Sequence, residues 1–175
     1  MKEKLKELII NSINAWDEEG IYALSLYLEN VDDDSLNPTV QFGYNTEKEF
    51  QESLRMTDAV EARWNYAFWL QNCEFVFGLE DTAADMEQWM DEHGFSALEL
   101  DEHYEDDEGL RNVFINEIIE LVQELHAEKI LTQKYGCELP IIIHELEYYD
   151  EIAEYNKKAN GEYLPNEFVD FCLGL

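Results

Sequence analysis

An α+β fold, with a small and mostly antiparallel sheet covered by amphipathic helices, follows from three observations on the sequence. Apolar residues recur at helical intervals in some segments and at alternate positions in others. The two kinds of segment do not alternate in a strand-helix-strand rhythm, which argues against a doubly wound parallel sheet. The chain has 175 residues, 46% of them hydrophobic and 13% aromatic, enough apolar surface for one continuous core but not for two. Residues 1–175 are therefore read as a single globular domain.

The elements follow in order. Leu5, Leu8, Ile9, Ile13 and Trp16 lie at helical spacing with charges between them, and Gly20 ends this first helix. From Ile21 to Glu29 the period changes to two, with Tyr22, Leu24, Leu26 and Leu28 on one face and Ala23, Ser25 and Tyr27 on the other. Asn30–Pro38 carries the Asp and Asn residues of a turn, and Thr39–Tyr44 alternates again, so two antiparallel strands are expected. Thr46-Glu-Lys-Glu49 fits a capping box opening a helix to about Leu54. Cys73–Phe77 reads as a short strand, and Asp81–His93 as a helix with Gly94 as its stop. After Gly109, apolar residues from Leu110 to Leu131 recur at steps of three and four and predict the longest helix, running until Gly136. Pro140–Leu146 reads as a strand with proline at its start, and Tyr148–Ala159 and Pro165–Leu173 as two closing helices.

Charge is the strongest functional signal. Asp and Glu number 41 against 11 Lys and Arg, a formal net charge of −30. No Lys or Arg occurs from Trp64 to Leu110, a stretch holding fourteen acidic residues, seven of them within Glu99–Glu108. Such a surface repels nucleic acid and anionic membranes and accelerates encounter with cations, so the expected partner is a basic protein. The aromatic and aliphatic content argues against a disordered acidic tail. Met1–Ile10 lacks the apolar run and cleavage site of a signal peptide, and no stretch reaches the about 20 apolar residues of a membrane helix. Cys73, Cys137 and Cys172 are odd in number and match no zinc spacing, which points to a cytoplasmic chain with reduced, mostly buried thiols.

No catalytic, cofactor or metal motif stands out. With so many carboxylates, adjacent Asp and Glu arise from composition alone, and each one taken singly reads as a solvated surface charge. Asp32-Asp33-Asp34 and Asp101–Glu108 lack the alternating ligands and the central glycine of a calcium-binding loop. His93, His103, His126 and His144 are scattered, and the glycines stand singly, which removes zinc and phosphate-loop signatures. Arg63, set beside Trp64, Tyr66 and Trp69, is expected to find a carboxylate or an aromatic face.

Ile21-Tyr-Ala-Leu-Ser-Leu-Tyr, Pro38-Thr-Val-Gln-Phe-Gly-Tyr-Asn-Thr and Glu61-Ala-Arg-Trp-Asn-Tyr-Ala-Phe-Trp-Leu-Gln-Asn resemble a bacterial family of domains of unknown function, found in Firmicutes and other bacteria. Its members look like cytoplasmic immunity proteins that accompany secreted polymorphic toxins. The resemblance implies a role by association and transfers no catalytic residues.

Charge and resemblance together give an acidic binding protein that neutralises a toxin, a nuclease among the candidates, by covering its basic cleft. The candidate partner-binding residues are Glu99, Asp101, Glu102, Glu105, Asp106, Asp107 and Glu108, with Asp32, Asp33 and Asp34 as a second group. No cofactor and no metal are expected. Two other readings stay open: an enzyme with a carboxylate in a pocket near Trp64, Tyr66 and Trp69, and an adaptor that binds a basic protein without inhibiting it. A homo-oligomer is also open, since aromatic surface could cover a self-interface.

Overall fold

The computed structural model describes residues 1–34, 36–95 and 104–175, and places in them eight α-helices and four strands. The sheet has the order β3-β2-β1-β4, built from β1 (Ile21–Asn30), β2 (Pro38–Thr46), β3 (Phe75–Phe77) and β4 (Ile141–His144). β2 pairs antiparallel with β1, as alternation and the short turn predict, and antiparallel also with β3. β4 lies parallel to β1, so the sheet is mixed. Strand spacing along the chain carries no sign for that last pairing, which only the tertiary fold decides.

Both faces of the sheet are covered. Leu24, Leu26 and Leu28 of β1, with Val40 and Phe42 of β2, join the larger core. Into that core α1 (Lys2–Ala15) sends Leu5, Ile9 and Ile13, and α4 (Ala83–Glu92) sends Met86, Trp89 and Met90. The long α5 (Tyr104–Ala127) adds the row Leu110, Phe114, Ile118, Leu121 and Leu125. On the opposite face Ala23 and Ile142 pack with Trp64 of α3 (Ala59–Trp64), Ile152 of α7 (Asp150–Asn160) and Phe168 of α8 (Asn166–Leu173). Tyr22 belongs to this second face, not with Leu24 as strict alternation predicts. A register shift between Ile21 and Ala23 turns it over, and its hydroxyl donates to the Arg63 carbonyl at 2.7 Å.

Local signals set several boundaries. Thr46 caps α2 (Glu47–Ser53) by accepting from the Glu49 amide at 3.2 Å, the threonine half of the expected box. Asp58 caps α3, which periodicity alone does not reveal, by accepting from the amides of Val60 and Glu61. Gly43 answers a different demand. A β-carbon there would lie 2.5 Å from the Asn72 carbonyl oxygen, where the chain entering β3 closes on β2. Arg63 finds both expected partners, with Nη1 on Glu47 at 2.7 Å and its guanidinium over the rings of Tyr22 and Phe50.

Three expectations are corrected. Gly109 lies inside α5 and does not precede it, because Tyr104–Ala127 is helical throughout. The helical run to Gly136 is broken at Lys129, whose φ of 56° separates α5 from α6 (Ile130–Tyr135) without a glycine or proline to mark the place. Of the three thiols only Cys172 is buried, where desolvation pushes it up to about 12; Cys73 and Cys137 are exposed.

α7 closes the outer edge of β4 with side chains. Asn156 accepts from the Ile143 amide at 2.9 Å and donates to the Ile143 carbonyl at 2.7 Å. One turn on, Asn160 makes the same pair with Ile141, at 2.8 and 2.9 Å. Helix and strand match in repeat, since four residues of helix rise about 6.0 Å, close to the about 6.6 Å between alternate strand residues. Asn160 Oδ1 also faces His126 Nε2 at 3.1 Å. An amide oxygen only accepts, so Nε2 donates to it alongside the Ile141 amide, while Nδ1 faces the Glu138 carboxylate at 2.8 Å. The Lys129 break turns α6 so that the amide and hydroxyl of Thr132 also bond Glu138.

Two measurements check this arrangement. Asn156→Leu keeps the volume but leaves two buried backbone groups of Ile143 unpaired, so urea denaturation is expected to show a loss of about 2–4 kcal/mol. Burial pushes the Glu138 carboxyl up, but the hydrogen bonds from Thr132 and His126 outweigh it and hold it below its ordinary value of 4.5. Its stabilisation is thus present above 4.5 and lost as the pH falls through the folded value. Glu138→Gln is expected to be less stable than the native chain near neutral pH, with the gap closing in urea titrations run at progressively lower pH.

Candidate functional site

β1 and β4 are parallel, so their carboxyl ends open on the same side of the molecule. A cleft of about 580 Å³ lies there, closed by the first turns of α5. Its floor is apolar, from Leu28, Leu110, Phe114 and Ile115, all members of the larger core. The α5 row supplies three of these because Leu110 and Phe114 are one turn apart and Ile115 follows. Tyr27 and Tyr149 form walls, and Leu146, 76% exposed, stands at the rim.

Arg111 is the first cation after the long stretch without any. Its Nη2 donates to Glu145 at 2.6 Å and to the Tyr149 hydroxyl at 2.7 Å, and Nη1 donates to the Tyr155 hydroxyl at 3.2 Å. Tyr149 in turn donates to the second oxygen of Glu145 at 2.6 Å. Burial and the adjacent Glu145 push the Tyr149 phenol well above its usual range, so it remains a donor. The cleft also presents Glu29, Glu108 and Glu147, exposed and in no ion pair among the described residues. Three carboxylates in excess make the cleft strongly anionic.

A second cavity of about 550 Å³ shares Pro38 with the first and lies across the end of the β1–β2 hairpin. Val31, Leu36, Met86, Met90 and Phe95 line it, with Glu87 and Asp91 from α4.

The residues singled out from sequence fall into distinct environments. Glu99, Asp101 and Glu102 lie outside the described residues. Glu105, Asp106, Asp107 and Glu108 lie within α5. Of these, Glu108 lines the cleft. Asp32 is exposed at a φ of 56° in the hairpin turn, a conformation aspartate tolerates, and Asp33 ends the same 3-10 turn. The Asp34 carboxylate is used within the turn, accepting from the Leu36 amide at 3.0 Å and the Asn37 side chain at 2.5 Å. The hairpin and α5 therefore meet at the cleft through Glu29 and Glu108, while the Asp34 carboxylate is taken by its own loop. Glu29, Arg111, Glu145 and Glu147 escape a reading that looks for acidic blocks, because they are single residues that only the parallel pairing assembles.

The aromatic region proposed as an enzyme pocket is packed. Trp64 and Trp69 are buried, and their indoles donate to Glu167 at 2.8 Å and to the Arg63 carbonyl at 2.9 Å. Beside it lies a Ser–His pair with the outline of catalytic machinery: Ser25 Oγ stands 2.7 Å from His144 Nε2. His144 Nδ1 meets the Glu145 carbonyl at 3.2 Å in place of a carboxylate, which makes Nε2 the acceptor and Ser25 the donor. Ser25 is 2% and His144 0% exposed, and Tyr27, Tyr66, Trp69 and Tyr148 surround the ring. Burial pulls the imidazole down to about 4. The pair is sealed from substrate and satisfies its own polar atoms.

No family model matches the chain, and no curated protein or solved structure was found similar to it. The fold and the cleft therefore define the class by themselves: an α+β protein with an anionic, apolar-floored crevice at the ends of two parallel strands.

The cleft network is open to test by substitution. Tyr149→Phe removes the hydroxyl between Arg111 and Glu145 but leaves their direct contact, and is expected to cost about 0.5–1.5 kcal/mol in thermal unfolding. Arg111→Met removes every hydrogen bond that the guanidinium makes and is expected to cost more than Tyr149→Phe in the same assay.

Proposed function

We propose that this chain is an acidic binding protein that neutralises a toxic basic protein by covering its cationic surface, in the manner of the immunity proteins that its three segments resemble. The cleft carries the reading. Glu29, Glu108 and Glu147 hold no ion pair among the described residues and stand near the exposed Leu146, whereas Lys2, Lys4, Lys6, Arg63, Arg111 and Lys157 are drawn into ion pairs with the chain's own carboxylates. The result is a face that attracts cations and offers an incoming basic protein both charge and desolvated contact. Electrostatic steering speeds capture, which suits an inhibitor that must act before its target does.

The test is co-expression with a toxic domain encoded beside this chain, together with a binding titration of the purified pair at several salt concentrations. Rescue of growth is expected, with affinity falling about tenfold or more between low and high salt. Failure to rescue, or an affinity indifferent to salt, overturns the proposal.

A further inference from the structure

We infer that the cleft at the carboxyl ends of β1 and β4 receives one protruding lysine or arginine side chain of the partner. Its aliphatic stem would lie along the half-buried rings of Tyr27 and Tyr149, above the buried floor, and its cationic end would sit among Glu29, Glu108 and Glu147. The inference rests on the reading of the chain as a binder of basic proteins and names the seat.

Four observations carry it. First, the cleft combines a buried hydrocarbon floor with charge at its mouth, the division of chemistry along a long basic side chain. Second, Glu145 is already engaged by Arg111 and Tyr149, but Glu29, Glu108 and Glu147 are exposed and hold no ion pair among the described residues. Third, Tyr27, Tyr149 and the 76% exposed Leu146 leave apolar surface open beside these carboxylates. Fourth, Arg111 shows that the walls already accommodate this chemistry: its guanidinium rests on a carboxylate and two tyrosine hydroxyls, with the Tyr155 ring 5.9 Å away. Both terminal nitrogens of Arg111 donate within the network, and the surplus negative charge turns away phosphates and carboxylates.

The volume of about 580 Å³ lies within the range of specific ligand pockets and has room for the side chain and the loop tip that bears it. Leu146 at the rim would then contact the loop. Such an anchor, with a polar end and an apolar stem in one pocket, is the kind of contact that dominates protein interfaces.

The experiment uses the full chain and two probes. The first is a capped pentapeptide of one arginine flanked by leucine and glycine, with a second version carrying glutamine in place of arginine. The second probe is poly-L-lysine. Binding is followed by backbone amide shifts in NMR for the peptides and by calorimetry for the polymer, on the native chain and on Glu29→Gln/Glu108→Gln/Glu147→Gln. These three positions are exposed and the substitutions are isosteric, so an unchanged amide spectrum away from the cleft verifies the fold of the variant. The arginine peptide is expected to shift amides of residues 27–30 and 145–149, with the glutamine peptide and the triple variant each about tenfold weaker, as loss of several individually weak charge contacts implies. Peptide binding that survives the triple substitution, or shifts located elsewhere, overturns the seat while poly-L-lysine binding to both chains leaves the acidic-binder reading standing. A native chain that ignores poly-L-lysine as well overturns that reading and the seat together.

Discussion

The side-chain closure of the β4 edge is the constraint from which the rest of the structure takes its position. A four-residue strand paired on one side only leaves alternate amides and carbonyls to be satisfied, and in a buried setting each such group left unpaired costs free energy. Asn156 and Asn160 supply the pairing that a further strand would have given. They lock α7 against β4, and through α7 they place Tyr149 and Tyr155 around Arg111. The same Asn160 oxygen holds His126, so the end of α5 is fastened to the strand edge as well. The cleft therefore owes its shape to hydrogen bonds made on the far side of the strand whose end it borders.

The charge of the molecule divides into two populations. Lys2 and Lys6 of α1 reach Glu120, Glu124 and Glu128 of α5 in a ladder between parallel helices, with contacts from 2.6 to 3.0 Å. Hydrogen bonds from Lys6 and then Lys2 hold the Glu124 carboxyl below its ordinary range. These carboxylates are structural, and each exposed contact adds little stability on its own. The remainder, Glu29, Glu108 and Glu147 among them, are solvated charges that repel one another. Four of the eleven cations, Lys2, Lys6, Arg63 and Arg111, thus join separate elements through the chain's own carboxylates.

Periodicity in the sequence is enough to read α1, β1, β2, α4, α7 and α8, since each carries either a clear three-to-four spacing or a clear alternation. It misses α3, whose signature is a capping aspartate and not an apolar stripe, although Asp58 followed by Glu61 carries that signal. It misplaces the start of α5 because Gly109 looks like a boundary, and a single glycine inside a long, well-packed helix is tolerated. The face of Tyr22 depends on a bulge, and the break at Lys129 on a positive φ in a residue that gives no warning of it. For the site, the acidic emphasis is legible but the block itself is not what lines the cleft. Of the acidic candidates only Glu108 is placed there, and its companions come from the ends of strands more than a hundred residues apart, where local pattern cannot bring them together.

That distance along the chain has a bearing on synthesis. β1 is complete within the first thirty residues, and β2 can pair with it at once through a short turn, but its other edge waits for residues 141–144. Until then the middle strand of the finished sheet is an exposed edge of Leu, Ser and Tyr, the kind of surface on which nascent chains stick to one another. Closing so long a loop also makes the parallel pairing a slow, late event in folding. The dense negative charge already carried by the emerging chain offers a remedy, since mutual repulsion keeps unfinished copies apart during the interval in which the sheet is most vulnerable.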